Sequence, residues 1–204
     1  MQAIQRSDII DAAQYRHQWR DRRDDIIELK RARRFRLSPY LSVVFESRET
    51  LVHQLNEVIR IENVTDEAKI ERELALYNHL VPTSDELLIT LFFEFTAQEQ
   101  IHTHLDGLSS LEDRVALRVA DHPLTGRVAR APGDPAIAAV NYVHLAVPAL
   151  QQFLLSVRGC DVELTLSLPS QRYRVSLPMY IRDLLASELV AERDCNTFVH
   201  SSAA

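Results

Sequence analysis

The chain reads as an α+β fold: a mixed, largely antiparallel sheet with helices packed against it in a single domain. Three observations predict this. Runs with a two-residue apolar period are interspersed with runs of helical period. Two strand-like runs near the C-terminus are joined by only three residues, as in a hairpin. Strands and helices do not alternate regularly enough for a wound parallel sheet. Of the 204 residues, 46% are hydrophobic and 25% charged, the ordinary globular mixture. A chain of this length buries roughly 70% of its unfolded surface and needs no covalent staple. The expected layout is one domain over residues 1–194 and a frayed tail over 195–204.

Ser7 and Asp8 suggest a short capped helix. It leads into a longer one ending near Arg33, with Tyr15, Trp19, Ile26 and Leu29 on its inner stripe and Arg22 intruding among them. From Tyr40 to Glu46 the pattern alternates, with Leu41, Val43 and Phe45 on one face of a strand. Ser47 caps a helix striped by Leu51, Leu55, Val58 and Ile59, and Thr65 caps another carrying Ile70, Leu74 and Tyr77. The run ELLITLFFEF places Leu87, Ile89, Leu91, Phe93 and Phe95 on one face and reads as the central strand. Thr96 and Glu99 have the spacing of a capping box at the next helix.

Arg114 to Ala120 reads as an edge-like strand, and Asp121 to Pro135, rich in Pro, Gly and charge, as the one long loop. Strand character returns over Ile137 to Val147, followed by a short helix from Pro148 to Gly159. Val162–Leu168 and Arg172–Leu177 form the hairpin, and Pro178 opens a last helix to Leu189.

Composition also excludes function classes. Four glycines and no G-x-G-x-x-G or Walker pattern argue against a glycine-rich phosphate loop. A net charge of −6 argues against a general nucleic-acid binder, whose affinity rests on phosphate contacts. Nine basic residues do lie between Arg16 and Arg36 against four acids, but such a run is ordinarily a solvated helix face. Cys160 and Cys195 are far apart and form no metal or disulfide framework. The N-terminus lacks a signal-peptide core and no run approaches membrane-spanning length, so the cytoplasm is the expected compartment, with no membrane partner.

Several ordered blocks carry a family resemblance. Ile26 to Arg34 (IIELKRARR), Phe45 to Thr50 (FESRET), Gln54 to Glu62 (QLNEVIRIE), Glu73 to Pro82 (ELALYNHLVP) and Thr90 to Phe95 (TLFFEF) follow one another in the expected order and spacing. Val140 to Leu145 (VNYVHL) continues the match more weakly toward the last helix. The chain resembles the uncharacterised bacterial family known as domain of unknown function three-five-zero-one. That resemblance implies no activity. It implies a redox or oxidative-stress setting, because members tend to be encoded beside rubrerythrin-like diiron proteins and iron–sulfur oxidoreductases. Where the family pattern has a His-Pro pair before a tyrosine, this chain has Leu168 and Pro169, with Tyr173 downstream.

The densest polar set is Glu46, Arg48, Gln54, Glu57, Arg60 and Glu62, followed by Tyr77 and Asn78. Glu46 ends one strand and Glu94 nearly ends another. Were those strands neighbours, the two carboxylates would converge beside the Glu57 and Arg60 helix, ionised by arginine or binding a hard metal. The candidates for catalysis are therefore Glu46, Glu57, Arg60, Tyr77 and Glu94. Those for binding are Arg48, Gln54, Glu62 and Asn78. His53 and Glu57, four residues apart, are the first ligands to consider if a metal is present, although no H-E-x-x-H or diiron E-x-x-H spacing occurs and none is expected. The same set also reads as a buried ion-pair network that fixes register.

Two functions remain. One is a non-catalytic accessory or binding protein without cofactor, acting with a redox metalloprotein of rubrerythrin-like or iron–sulfur type. The alternative is a small-molecule or metal-dependent enzyme built on the Glu/Arg/Tyr cluster. A nucleic-acid regulator built on the basic run fits least.

Overall fold

The structure is a computed structural model that describes residues 2–10, 24–130 and 137–189. A single 3₁₀ turn, Arg6–Asp8, precedes a helix α1 at 24–31. Then come strands β1 (Arg34–Ser38) and β2 (Leu41–Phe45), helices α2 (Arg48–Ile61) and α3 (Glu67–Asn78), and strand β3 (Glu86–Phe93). Helix α4 (Gln98–Leu105) leads to β4 (Val115–Val119), β5 (His122–Ala129) and β6 (Val140–Ala146). Helix α5 (Ala149–Ser156), the hairpin β7 (Val162–Ser167) and β8 (Arg172–Ser176), and a helix α6 at 179–189 complete the order. Among the described residues no helix is long and apolar enough to cross a membrane.

Ser47 caps α2 as expected, accepting from the Thr50 amide. The cap of α3 is Asp66, one residue beyond the expected Thr65. Tyr15, Trp19, Arg22, Cys195 and the 195–204 tail lie outside the described residues, as does the side chain of Glu99.

Among the described residues eight strands form one antiparallel sheet in the order β1-β2-β3-β6-β5-β4-β7-β8. The edge strands β1 and β8 come into contact, so the sheet curls almost into a barrel. Both edges follow one pattern: Arg34 and Arg36 stand outside while Phe35 and Leu37 are buried, and Arg172 and Arg174 are exposed on either side of buried Tyr173. The inner face holds the larger core. There Leu41, Val43 and Phe45 of β2 and Leu87, Ile89, Leu91 and Phe93 of β3 meet Leu155 of α5 and Ile181 and Leu185 of α6. On the outer face Leu51, Leu55 and Ile59 of α2 and Ile70 of α3 pack with Leu88 and the N-terminal Ile4 and Ile9.

Three expectations are corrected. The segment after the helix expected to end near Arg33 is strand β1, which was not expected: Phe35 and Leu37 alternate with Arg34 and Arg36 into the core. β4 is not an edge: it lies between β5 and β7, and its outward Arg118 pairs with Glu163, its register partner on β7. Part of the expected loop is strand β5. Its Pro123 sits near the strand start, where a missing N–H is tolerated. Gly126 is needed for close packing, since a Cβ there would lie 2.4 Å from Val143 Cγ1 and 3.2 Å from the Val115 carbonyl oxygen.

A buried arginine joins the last helix to α5. Arg182 donates from Nε to the Leu155 carbonyl at 2.9 Å, from Nη1 to Cys160 at 2.8 Å and from Nη2 to Val157 at 2.8 Å. The carbonyls at a helix C-terminus lack helical partners, and this guanidinium satisfies that of Leu155 and those of Val157 and Cys160 just beyond α5, with charge complementary to the helix end.

Candidate functional site

The centre of the polar set is Glu46, only 3% exposed at the junction of β2 and α2. Its amide donates to the Leu88 carbonyl at 2.8 Å, extending the β2–β3 ladder by one residue. Three uncharged donors hold its carboxylate. Thr90 Oγ1 on β3 lies at 2.5 Å and Gln54 Nε2 on α2 at 3.0 Å, and Thr50 Oγ1 completes the set. A buried charge is tolerated when its lone pairs are satisfied in this way. Lys30 on α1 adds electrostatic support: burial lowers its pKa, and Glu46 and Glu57 act against that shift.

From Glu46 a hydrogen-bonded line runs outward. The phenol of Tyr142 on β6 donates to Gln54 Oε1 at 2.9 Å, and the phenol of Tyr77 on α3 lies beside that of Tyr142. Burial, then the charge of Glu46, pushes Tyr142 up to about 12. Tyr77 is raised further, by burial first and by Tyr142 next. Both phenols are therefore neutral at physiological pH. They reach the wall of a cleft of about 700 Å³ bounded by α3, β5 and β6, which Arg127, Arg130, Glu73 and His79 also line.

The other expected residues divide into separate groups. Glu57 pairs with Arg60 at 2.9 Å one turn along α2. Half-buried His53 has its pKa lowered by burial and by Lys30, with Glu57 acting in the opposite sense. Arg48 pairs with Asp8 and donates to the Gln2 carbonyl at 3.2 Å. Asn78 receives the Ile4 amide at 2.8 Å and returns a bond to the Ile4 carbonyl at 3.0 Å. Arg48 and Asn78 thus hold the N-terminal segment against α2 and α3, aided by Asn56, which accepts from the Ile10 amide at 2.8 Å. Glu62 is the exposed C-cap of α2.

Glu46 and Glu94 do not converge. Their strands are neighbours and both residues share the outer face, but the pairing is antiparallel, so the two strand ends point in opposite directions. Glu94 is instead held by Arg34, by Ser42 Oγ at 3.1 Å and by Arg36 at 3.6 Å. Arg33, 3% exposed, pairs with Glu188. The described arginines of the basic run thus meet the protein's own acids. Among the described residues no three His, Cys, Asp or Glu side chains gather as a metal-ion set.

Thr50, Thr90 and Tyr142 complete the network and were not singled out by sequence reasoning. The tertiary pairing of β3 with β6 brings Thr90 opposite Tyr142. Thr50, four residues after Glu46 in the first turn of the capped helix, is the one that local spacing signals.

Fold and site together define a curled antiparallel α+β protein with a buried glutamate linked through Gln54 and Tyr142 to a surface cleft. The chain belongs to the family described as Protein of unknown function (DUF3501), which it matches over residues 3–189. It is similar to a crystal structure of a novel protein of unknown function from Burkholderia pseudomallei K96243. The two share 25% identity and a TM-score of 0.81, over 92% of this chain and 99% of that one. No curated protein matches the chain.

Proposed function

We propose that the chain is a non-catalytic accessory protein of the cytoplasm, acting beside a redox metalloprotein of the rubrerythrin-like or iron–sulfur type in an oxidative-stress setting. The observation that supports this most is the saturation of Glu46. A general base must come within hydrogen-bond reach of a substrate proton. Glu46 is buried behind Gln54 and Tyr142, with its carboxylate already held by three structural donors. Glu57 and Glu94 are each held by arginine. Leu150 and Phe153, neighbours on α5 that are 58% and 67% exposed, support a protein partner. The class of partner comes from the family resemblance.

The test is copurification from the native cell, then reconstitution from purified components. A stoichiometric iron protein of either type that binds the wild type but not Phe153→Glu supports the reading. Turnover of a small molecule by the purified chain alone, lost in Glu46→Gln, overturns it. That result promotes a small-molecule enzyme, the reading favoured by the line from Tyr77 to Glu46.

A further inference from the structure

The hydrogen-bonded line from Glu46 through Gln54 to Tyr142, beside Tyr77, has a fixed direction. Gln54 turns its amide nitrogen toward Glu46 and its oxygen toward Tyr142. The Tyr142 hydroxyl spends its one hydrogen on that oxygen, so toward Tyr77 it accepts. The Tyr77 hydroxyl, which lies beside that acceptor, is best placed with its hydrogen turned toward it. What Tyr77 offers the cleft is therefore an acceptor oxygen, and a molecule seated there must donate to it.

The rest of the cleft has a complementary charge pattern. Glu73 lies one helical turn before Tyr77 on α3 and lines the same wall, placing negative charge beside the acceptor oxygen. Arg127 and Arg130, on and just beyond β5, line the cleft as well. Their ion pairs are long, 3.7 Å to Glu86 and 3.5 Å to Glu112. A guanidinium has five donors, so each arginine keeps capacity for another anion. Leu76, Leu80 and Val128 supply apolar surface.

The geometry points to a binding site for a small zwitterion of amino-acid type, with its ammonium on Tyr77 Oη and Glu73 and its carboxylate between Arg127 and Arg130. This site stands independently of a protein partner, so failure of either reading leaves the other intact. The probes are the common amino acids at millimolar concentration, each compared with the acid lacking its amino group and the amine lacking its carboxylate. Binding is read by calorimetry on the full chain. The expected result is saturable binding of at least one amino acid and none of its two truncated counterparts. Tyr77→Phe should weaken that binding about tenfold, the effect of losing one hydrogen bond. Arg127→Gln and Arg130→Gln, surface changes that leave the core intact, should weaken it as well. Absence of saturable binding by every amino acid overturns the inference. So does equal binding of the deaminated acid, or a Tyr77→Phe or double-arginine variant that folds and binds like the wild type.

Discussion

Glu46 and Glu163 each receive three hydrogen bonds, and the contrast between them separates bond number from energetic weight. Glu163, on β7, accepts from Arg118 Nε at 3.0 Å, Arg118 Nη2 at 2.5 Å and Arg174 Nε at 2.6 Å, all at the solvent-facing side of the sheet. These arginines, Arg118 first, hold its carboxyl below the usual carboxylate range. Glu46 accepts from neutral hydroxyls and an amide in the interior. Water can replace the partners of Glu163 but not those of Glu46. The stronger-looking charged bonds should therefore matter less to stability than the neutral buried ones.

The largest expected effect tests the buried side. Glu46→Ala strands the Thr90 hydroxyl and the Gln54 amide without an acceptor, while Thr50 keeps the Ser47 carbonyl, and should cost about 3 kcal/mol or more in urea unfolding. A loss below about 1 kcal/mol, the level of a surface pair, would break the comparison.

The next effect concerns pH. Burial lowers the pKa of both His53 and His144 from the ordinary value of 6.5. His144 is 4% exposed, and Glu86, 3.6 Å from its Nδ1, acts against the shift. The unfolded chain takes up these protons near 6.5 and the folded chain only at lower pH. Between those values the unfolded state binds more protons, so stability falls as pH falls and is fully diminished below the folded values. Melting temperature should decline from neutral to mildly acidic pH, and His144→Gln should flatten that decline. An unchanged slope in this variant would remove His144 from the buried, pH-sensitive side of the contrast.

The smallest effect belongs to the surface. Glu163→Gln should cost less than about 1 kcal/mol at low salt, and the difference should shrink as salt screens the arginines. A larger, salt-resistant loss would place Glu163 with Glu46.

Much of this was legible in the amino-acid order. β2 and β3 announce themselves because their alternate residues are large and apolar, and α2 because Ser47 precedes a helical stripe. β1 was hidden by Arg34 and Arg36, which prolong the basic run of the preceding helix and mask the alternation of Phe35 and Leu37. β5 was hidden by Pro123 and Gly126, whose roles depend on strand position and on Val143 packing against it. At the site, Glu46, Gln54 and Tyr77 stood out as polar residues near apolar stripes. Their linkage did not, because it depends on Tyr142, which reaches them only through the pairing of β6 with β3. The expected meeting of Glu46 with Glu94 failed for the same reason: local pattern identifies strands without fixing which are neighbours or how they run relative to one another.

The matching arginine pattern of β1 and β8 has a consequence for behaviour at high concentration. An open sheet edge is a template on which another chain can add a strand, the first step toward aggregation. Here both edges carry paired arginines at alternate positions, Arg34 and Arg36 on one and Arg172 and Arg174 on the other. Glu94 compensates Arg34 and Arg36, and Glu163 compensates Arg174, but long charged side chains at alternate positions still hinder a strand from a second molecule. The curl of the sheet also turns β1 and β8 toward each other, away from strangers. Protection against sheet extension is thus written into the same ten residues that end the sheet on either side.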